Sequence, residues 1–133
     1  MFKKITLRTD AREEILDITA TVKRFVDESK AEEGVLYLFC THTTCGLTIN
    51  ESADPAVKRD LIRFFRQIAP QQGWEHIEGN SDAHIRSSLL GASLLLPLEN
   101  GRLCLGTWQA VYFYEGDGPR TRTLLASILP LPN

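Results

Sequence analysis

Leu94-Leu95-Leu96-Pro97-Leu98-Glu99-Asn100-Gly101-Arg102-Leu103-Cys104-Leu105-Gly106 is the stretch that decides the fold. Asn100 and Gly101 both tolerate positive φ, which a two-residue hairpin turn requires. The apolar run Leu94–Leu98 and the segment Arg102–Gly106 therefore read as neighbouring antiparallel strands. Trp108–Tyr114 and Thr121–Leu129 extend the pattern, with Asp117-Gly118-Pro119 as the turn between them. Further back, Phe2–Thr9 alternates Ile5 and Leu7 with Lys4, Thr6 and Arg8, the period of a half-buried strand. Gly34–Thr41 reads as a buried strand, and Thr44–Asn50 as another with Leu47 and Ile49 on one face. Three segments have helical spacing instead. Ile18, Val22, Phe25 and Val26 form one face, with Asp17 as N-cap and Gly34 past the end. Asp54-Pro55 starts a second helix whose face is Val57, Leu61, Phe64, Phe65 and Ile68, stopped by Pro70. Ser81–Leu90 is the third, ended by Gly91. About seven strands and three helices, with consecutive hairpins at the end, predict an α+β fold: a mostly antiparallel sheet with helices on one side.

Composition bounds what such a fold can do. The chain has 133 residues, 43% of them hydrophobic and 24% charged, and a net charge of −2. It reads as a single domain, 1–133, that buries roughly two thirds of its unfolded surface. The slight negative charge argues against a nucleic-acid partner. No apolar run reaches the length of a membrane span, and Met1-Phe2-Lys3-Lys4-Ile5 lacks the apolar core of a signal peptide. Cys40, Cys45 and Cys104 are odd in number and lack metal-type spacing, so they read as reduced thiols in a cytoplasmic protein.

The chemistry gathers around the histidines. His76-Ile77-Glu78-Gly79-Asn80-Ser81-Asp82-Ala83-His84 holds two of the three, and His42 lies in Thr41-His42-Thr43-Thr44. Imidazole is the commonest metal ligand. His42 is in phase with Leu36, Leu38 and Cys40 and so ends an inward face. The alternative, a histidine satisfied by the neighbouring threonines, weighs equally. His84 falls in the first turn of a helix, whose free N–H groups and positive dipole end favour neutral imidazole and a nearby anion. Three imidazoles with an open position suit a catalytic zinc. Asp82 or Glu78 would supply a fourth group or orient a ligand. The expectation is that His42, His76 and His84 converge on one divalent metal.

Other polar residues extend this set. Asn50 and Glu51 lie between a strand and a helix, where they can turn into the same cleft. Asn80, Ser81 and Thr43 offer donors to a phosphate. Arg120 and Arg122 follow the Asp-Gly-Pro turn and alternate outward, as edge-strand protection or as phosphate ligands. Trp108 reads more readily as core than as a substrate platform. Cys45, three residues after His42, offers a rival thiolate chemistry, against the plainer role of a small buried residue.

Three blocks carry a family resemblance: Thr41-His42-Thr43-Thr44 running into Leu47-Thr48-Ile49-Asn50-Glu51 and Ala53-Asp54-Pro55; Glu78 to Ile85 with Ser88-Leu89-Leu90-Gly91; and Leu96-Pro97-Leu98, Gly101-Arg102-Leu103, Leu105-Gly106-Thr107-Trp108-Gln109 and Asp117-Gly118-Pro119-Arg120. In order and over nearly the whole chain, these blocks resemble the YjbQ family. Cys45 stands where the family pattern favours a small residue such as Ala, and Gly116 where it favours an aromatic. The resemblance implies an α+β sandwich, a homotrimer and, for some relatives, a weak thiamine-phosphate synthase activity. The combined expectation is a His-rich cleft binding a divalent metal, zinc first, and a small phosphorylated metabolite. His42, His84, Asp82 and Asn50 would be catalytic, and Asn80, Ser81, Thr43, Arg120 and Trp108 would bind substrate. The alternatives are a non-enzymatic binder of a small anionic metabolite and a Cys45-dependent hydrolase or transferase.

Overall fold

The structure, a computed structural model, describes residues 1–132. Over these the chain forms eight strands and three helices: β1 Lys3–Arg8, β2 Glu14–Asp17, α1 Thr19–Ser29, β3 Gly34–Cys40, β4 Cys45–Glu51, α2 Pro55–Ile68, α3 Ser81–Leu90, β5 Ser93–Glu99, β6 Arg102–Leu103, β7 Gln109–Glu115 and β8 Thr121–Leu129. The strands make a five-stranded sheet in the order β1-β8-β3-β5-β6 and a three-stranded sheet in the order β2-β7-β4. Every pairing is antiparallel.

The hairpin that decides the fold is present. Asn100 and Gly101 take φ of 53° and 75°, and Leu98 and Glu99 face Leu103 and Arg102 across the turn. Only Arg102–Leu103 of the expected Arg102–Gly106 strand pairs. The chain leaves the sheet there because it must cross to β7 in the other one.

Two apolar layers hold the architecture. The alternating inward residues of both sheets, Ile5, Leu7, Leu36, Leu38, Leu96, Leu124, Leu47, Val111 and Phe113, fill the space between them, and Val22 and Val26 of α1 join that core. Apolar burial of this kind contributes about 25 cal/mol per Å² removed from water. A second layer, Ile15, Phe65, Ala110, Tyr112 and Tyr114, is completed by Leu61, Ile62 and Leu90 from α2 and α3. Gly46 lets α3 approach β4: a Cβ there would lie 2.7 Å from Leu90 Cβ. The helices thus pack about the three-stranded sheet, α2 beside β2 and α3 beside β4, with α1 touching β6 and β7.

Three local expectations change. β2 went unread because its four residues are too few to show a period. Asp17 accepts from the Thr19 N–H at 3.0 Å, but Ile18 takes the cap position and Lys30, at φ 58°, ends α1 well before Gly34. Trp108 lies in the turn before β7 and is 61% exposed, so it is not a core residue. Asp54 caps α2 as expected, accepting from Ala56 N at 2.9 Å.

Candidate functional site

Three distant segments meet at one end of the sandwich. The Thr41–Thr44 loop joins β3 to β4, Glu78 and Asn80 precede α3, and Asp117–Arg120 joins β7 to β8. Together with His84 and Arg122 they line a polar cleft of about 320 Å³. The turn holding Asp117 contains a cis Gly118–Pro119 bond and is pinned by the Gly118 N–H donating to Arg12 O at 2.9 Å. Asp117 is the hub of the cleft. Its carboxylate accepts from Asn80 Nδ2 at 3.0 Å and from Arg120 Nη2 at 3.1 Å.

Asn80 is the most telling member. Its amide nitrogen is committed to Asp117, which leaves Oδ1 as an acceptor. That oxygen is buried and is the one side-chain N or O atom among the described residues that is buried without a partner. A buried acceptor without a donor costs about 1–3 kcal/mol, so this position calls for a hydroxyl, an ammonium or a cation.

His42 Nε2 accepts from the Thr123 backbone N–H at 2.9 Å. That bond requires an unprotonated nitrogen, and in the neutral ring the other nitrogen then donates. Burial, aided by the charges of Arg122 and Arg120, pushes the His42 pKa below its ordinary value, against a smaller opposing pull from Glu115. The sign follows from the same facts. The stabilisation is complete above the unfolded pKa of about 6.5 and is lost as pH falls through the lower folded value. We expect a ¹⁵N-detected histidine titration to place the His42 midpoint below that of a free imidazole. A midpoint at or above it would contradict the Thr123 bond.

His76 and His84 meet edge to face, with ring centroids 5.4 Å apart. They line a shallow groove with Trp74, Glu75, Ser81 and Ile85, next to the cleft, and His84 belongs to both. The three histidines therefore lie along one surface, with His84 between the other two. No three His, Cys, Asp or Glu side chains among the described residues are grouped tightly enough to hold a metal.

Beneath the cleft lies a buried ion pair. Glu115 and Arg122, 0% and 4% exposed, are joined through both Nε and Nη2 of the arginine. Thr9 Oγ1 donates to Glu115 at 2.7 Å, and Thr44 Oγ1 accepts from Arg122 at 2.8 Å. Arg122 was expected to face outward. It points inward because it shares the parity of Leu124 and Ala126, and Glu115 supplies its countercharge.

Several expected site residues lie elsewhere. Asp82 is fully buried and turned away from the cleft, held by both terminal nitrogens of Arg12 at 3.0 and 3.2 Å and by Arg86 at 3.3 Å. Its four-residue spacing to Arg86 on α3 explains this. Asn50 and Trp108 sit at the opposite end of β4, where Asn50 Oδ1 accepts from Glu51 N and Trp108 O accepts from Ser52 N. Six strand steps at about 3.3 Å separate that end from Cys45, about 20 Å in all. Thr43, Asn80, His84, His42 and Arg120 do come together. Sequence reasoning missed Asp117, Glu115 and Arg12. Asp117 read as a plain turn residue, Glu115 fell just past an apolar strand, and Arg12 lay in a segment with no motif.

The model of the family described as UPF0047 protein YjbQ-like matches residues 3–130. The chain belongs to that family. The UPF0047 protein YugU of Bacillus subtilis is 49% identical over 92% of this chain and 95% of its own length. A UPF0047 protein of Methanocaldococcus jannaschii is 45% identical over 97% of this chain and 94% of its own. A crystal structure of a YjbQ/UPF0047 family protein from Clostridium acetobutylicum superposes with a TM-score of 0.92 at 47% identity, covering 96% of this chain and 99% of that one.

Two residues that looked atypical for the YjbQ family now have physical contexts. Gly116 is packed against α3, and a Cβ there would lie 2.9 Å from Ala83 Cβ, so the local packing leaves no room for an aromatic ring. Cys45 is fully buried, with Sγ 3.6 Å from Glu115 Oε2. Contact with Cys40, burial and the Glu115 charge all push its thiol pKa up. A buried, protonated thiol is a poor nucleophile, which agrees with a packing role for Cys45.

Proposed function

We propose that this YjbQ-family protein binds a small phosphorylated metabolite in the cleft between the Thr41–Thr44 loop, the start of α3 and the Asp117–Arg120 turn. The observation that carries the reading is the orphaned Oδ1 of Asn80 in a cleft also lined by His42, His84 and Arg120. Arg120 supplies guanidinium donors to a phosphate, and neutral His42 supplies a ring N–H. Asn80 accepts from the ligand's hydroxyl or amine, or from a cation. The start of α3 adds a positive dipole end beside the anion.

We assign any divalent metal to the edge-to-face pair His76 and His84, zinc being the ion best suited to imidazole, although no third ligand is grouped with them among the described residues. Glu78, which faces the cleft beside His84, is the carboxylate closest in kind to a third ligand. His42 fits less well as a ligand, because its lone pair is engaged by Thr123. Such an ion would stabilise negative charge on a phosphate oxygen.

The enzymatic form of this reading is a transferase resembling thiamine-phosphate synthase, in which a pyrimidine methyl pyrophosphate joins a thiazole phosphate and pyrophosphate leaves. The non-enzymatic form is a metabolite binder using the same groups. We further propose a cytoplasmic homotrimer. α2 and α3 pack about the other sheet and α1 reaches only the β6 edge of the five-stranded one, so Phe2, Phe39, Leu95 and Leu129 on its outward face stay 52%, 37%, 62% and 42% exposed among the described residues. Apolar patches of this kind mark interaction surfaces.

Calorimetric titration of untagged protein with inorganic pyrophosphate, with and without zinc, tests the cleft. Wild type should bind, and His84→Ala and Arg120→Gln should each weaken binding about tenfold or more. No binding, or binding untouched by both variants, would overturn the reading. Pyrophosphate release from the two thiamine precursors, lost in His84→Ala, separates the enzyme from the binder.

A further inference from the structure

A cavity of about 580 Å³ lies on the other side of α3 from the cleft, between the β1–β2 connection, the end of α2 and the buried face of α3. Three guanidinium groups, from Arg12, Arg66 and Arg86, face two carboxylates, Glu13 and Asp82. Both carboxylates are saturated. Glu13 accepts from Arg66 Nε at 2.7 Å, from Arg86 and from Tyr114 Oη at 2.9 Å. Asp82 is held by Arg12 and Arg86.

The cationic side is not saturated. Arg66 spends only Nε on Glu13, which leaves both terminal nitrogens, with four N–H donors, on a side chain that is 66% exposed. A row of arginines leads to it. Arg59, Arg63 and Arg66 are exposed and recur at i, i+4 and i+7 on α2, so they share one helix face. Among the described residues neither Arg59 nor Arg63 has a carboxylate within ion-pair reach. All three border a second cavity of about 490 Å³, floored by Ile62, which shares Arg66 with the first. In a chain of net charge −2, this concentrates uncompensated positive charge along two neighbouring cavities that share Arg66.

We propose that these cavities form a second binding site, for a small polyanion carrying two or more oxyanion groups. One oxyanion is held by the free fork of Arg66 at the mouth of the larger cavity, and the next lies along Arg63 and Arg59. Guanidinium forks take carboxylate and phosphate oxygens in bidentate pairs. Arg86 and Arg12 do not bind the ligand through their committed nitrogens. Their charge raises the local potential, and the carboxylates they hold fix the wall.

The site is distinct from the cleft, and one experiment separates the two. Wild-type protein is titrated at low salt with inorganic pyrophosphate and, separately, with citrate. We expect Arg66→Gln and Arg63→Gln each to weaken one class of pyrophosphate site about tenfold and His84→Ala to leave that class unchanged. Glu13 keeps Arg86 and Tyr114 in Arg66→Gln, so the fold should persist, as circular dichroism would verify. Citrate competing for the Arg66-dependent class shows that carboxylates are accepted too, and pyrophosphate alone narrows the ligand to phosphates. Titrations of both arginine variants that superimpose on wild type for both ions would overturn the proposal. An Arg66-dependent class without a His84-dependent one would uphold this site while removing support for the cleft.

Discussion

Replacing Glu115 with glutamine should destabilise the fold by about 3–5 kcal/mol, a large share of the 5–15 kcal/mol typical of a small domain. The substitution hardly changes shape. It removes the countercharge of Arg122, which is 4% exposed and has no other carboxylate partner among the described residues. The midpoint of a urea titration measures the effect. A loss under about 1 kcal/mol would mean that Arg122 finds water or another acceptor, and the description of the buried pair would be wrong. A pH series gives an independent check. Burial alone would raise the Glu115 pKa, but Arg122, the Asp117 N–H and Thr9 outweigh it, and the net shift is downward. A lowered carboxylate contributes stability that is complete above its unfolded pKa of about 4.3 and is lost as pH falls through the folded value. Acid unfolding of wild type should therefore contain a component that Glu115→Gln lacks.

Arg86→Met is expected to cost a similar amount, about 3–5 kcal/mol, for a different reason. Arg86 is 2% exposed and spends its donors on four acceptors. Nε reaches Phe65 O at 3.3 Å, Nη2 reaches Ala69 O at 2.7 Å, and Nη1 reaches Glu13 and Tyr114. Two of these acceptors are carbonyls at the C-terminal end of α2, so one side chain of α3 serves as the cap of the neighbouring helix. Methionine fills much of the volume but leaves those carbonyls and Glu13 short of donors. At a few degrees per kcal/mol for a domain of this size, the melting temperature should fall by about 10 °C or more. Arg86→Lys, which keeps the charge without the fork, should recover only part of the loss. Full recovery with lysine would show that charge alone matters.

Periodicity was enough for the elements that bury a regular face. β3 alternates, and Asn100-Gly101, Asp54-Pro55 and Gly91 are local signals that need no tertiary context. It failed where long-range partners decide. Asp82 and Arg86 look like surface residues of a polar helix, yet both are buried because Arg12 and Glu13, some seventy positions earlier, complete their charges. Arg122 followed a turn and looked like edge protection, but strand parity and Glu115 draw it inward. The candidate site divided along the same line. His42, Asn80, His84 and Arg120 were legible because polar residues concentrate in short blocks. Asn50 and Trp108 share one of those blocks or a neighbouring one, but a seven-residue strand carries them to the far end of the sheet. Linear proximity is a poor guide along an extended strand, where each residue adds about 3.3 Å.

Helix α3 has only ten residues, and its buried members include an aspartate and an arginine. A segment that short is marginal as a free helix in water, so it depends on its tertiary partners. It is held by Arg12, Glu13 and the end of α2 on one side and by β4 on the other, where Leu90 packs over Gly46 and Ser87 Oγ donates to Cys45 O. Asn80 and His84 are thus presented to the cleft only when those tertiary contacts are made. A chain that lacks those contacts would carry the same histidines without the cleft they line.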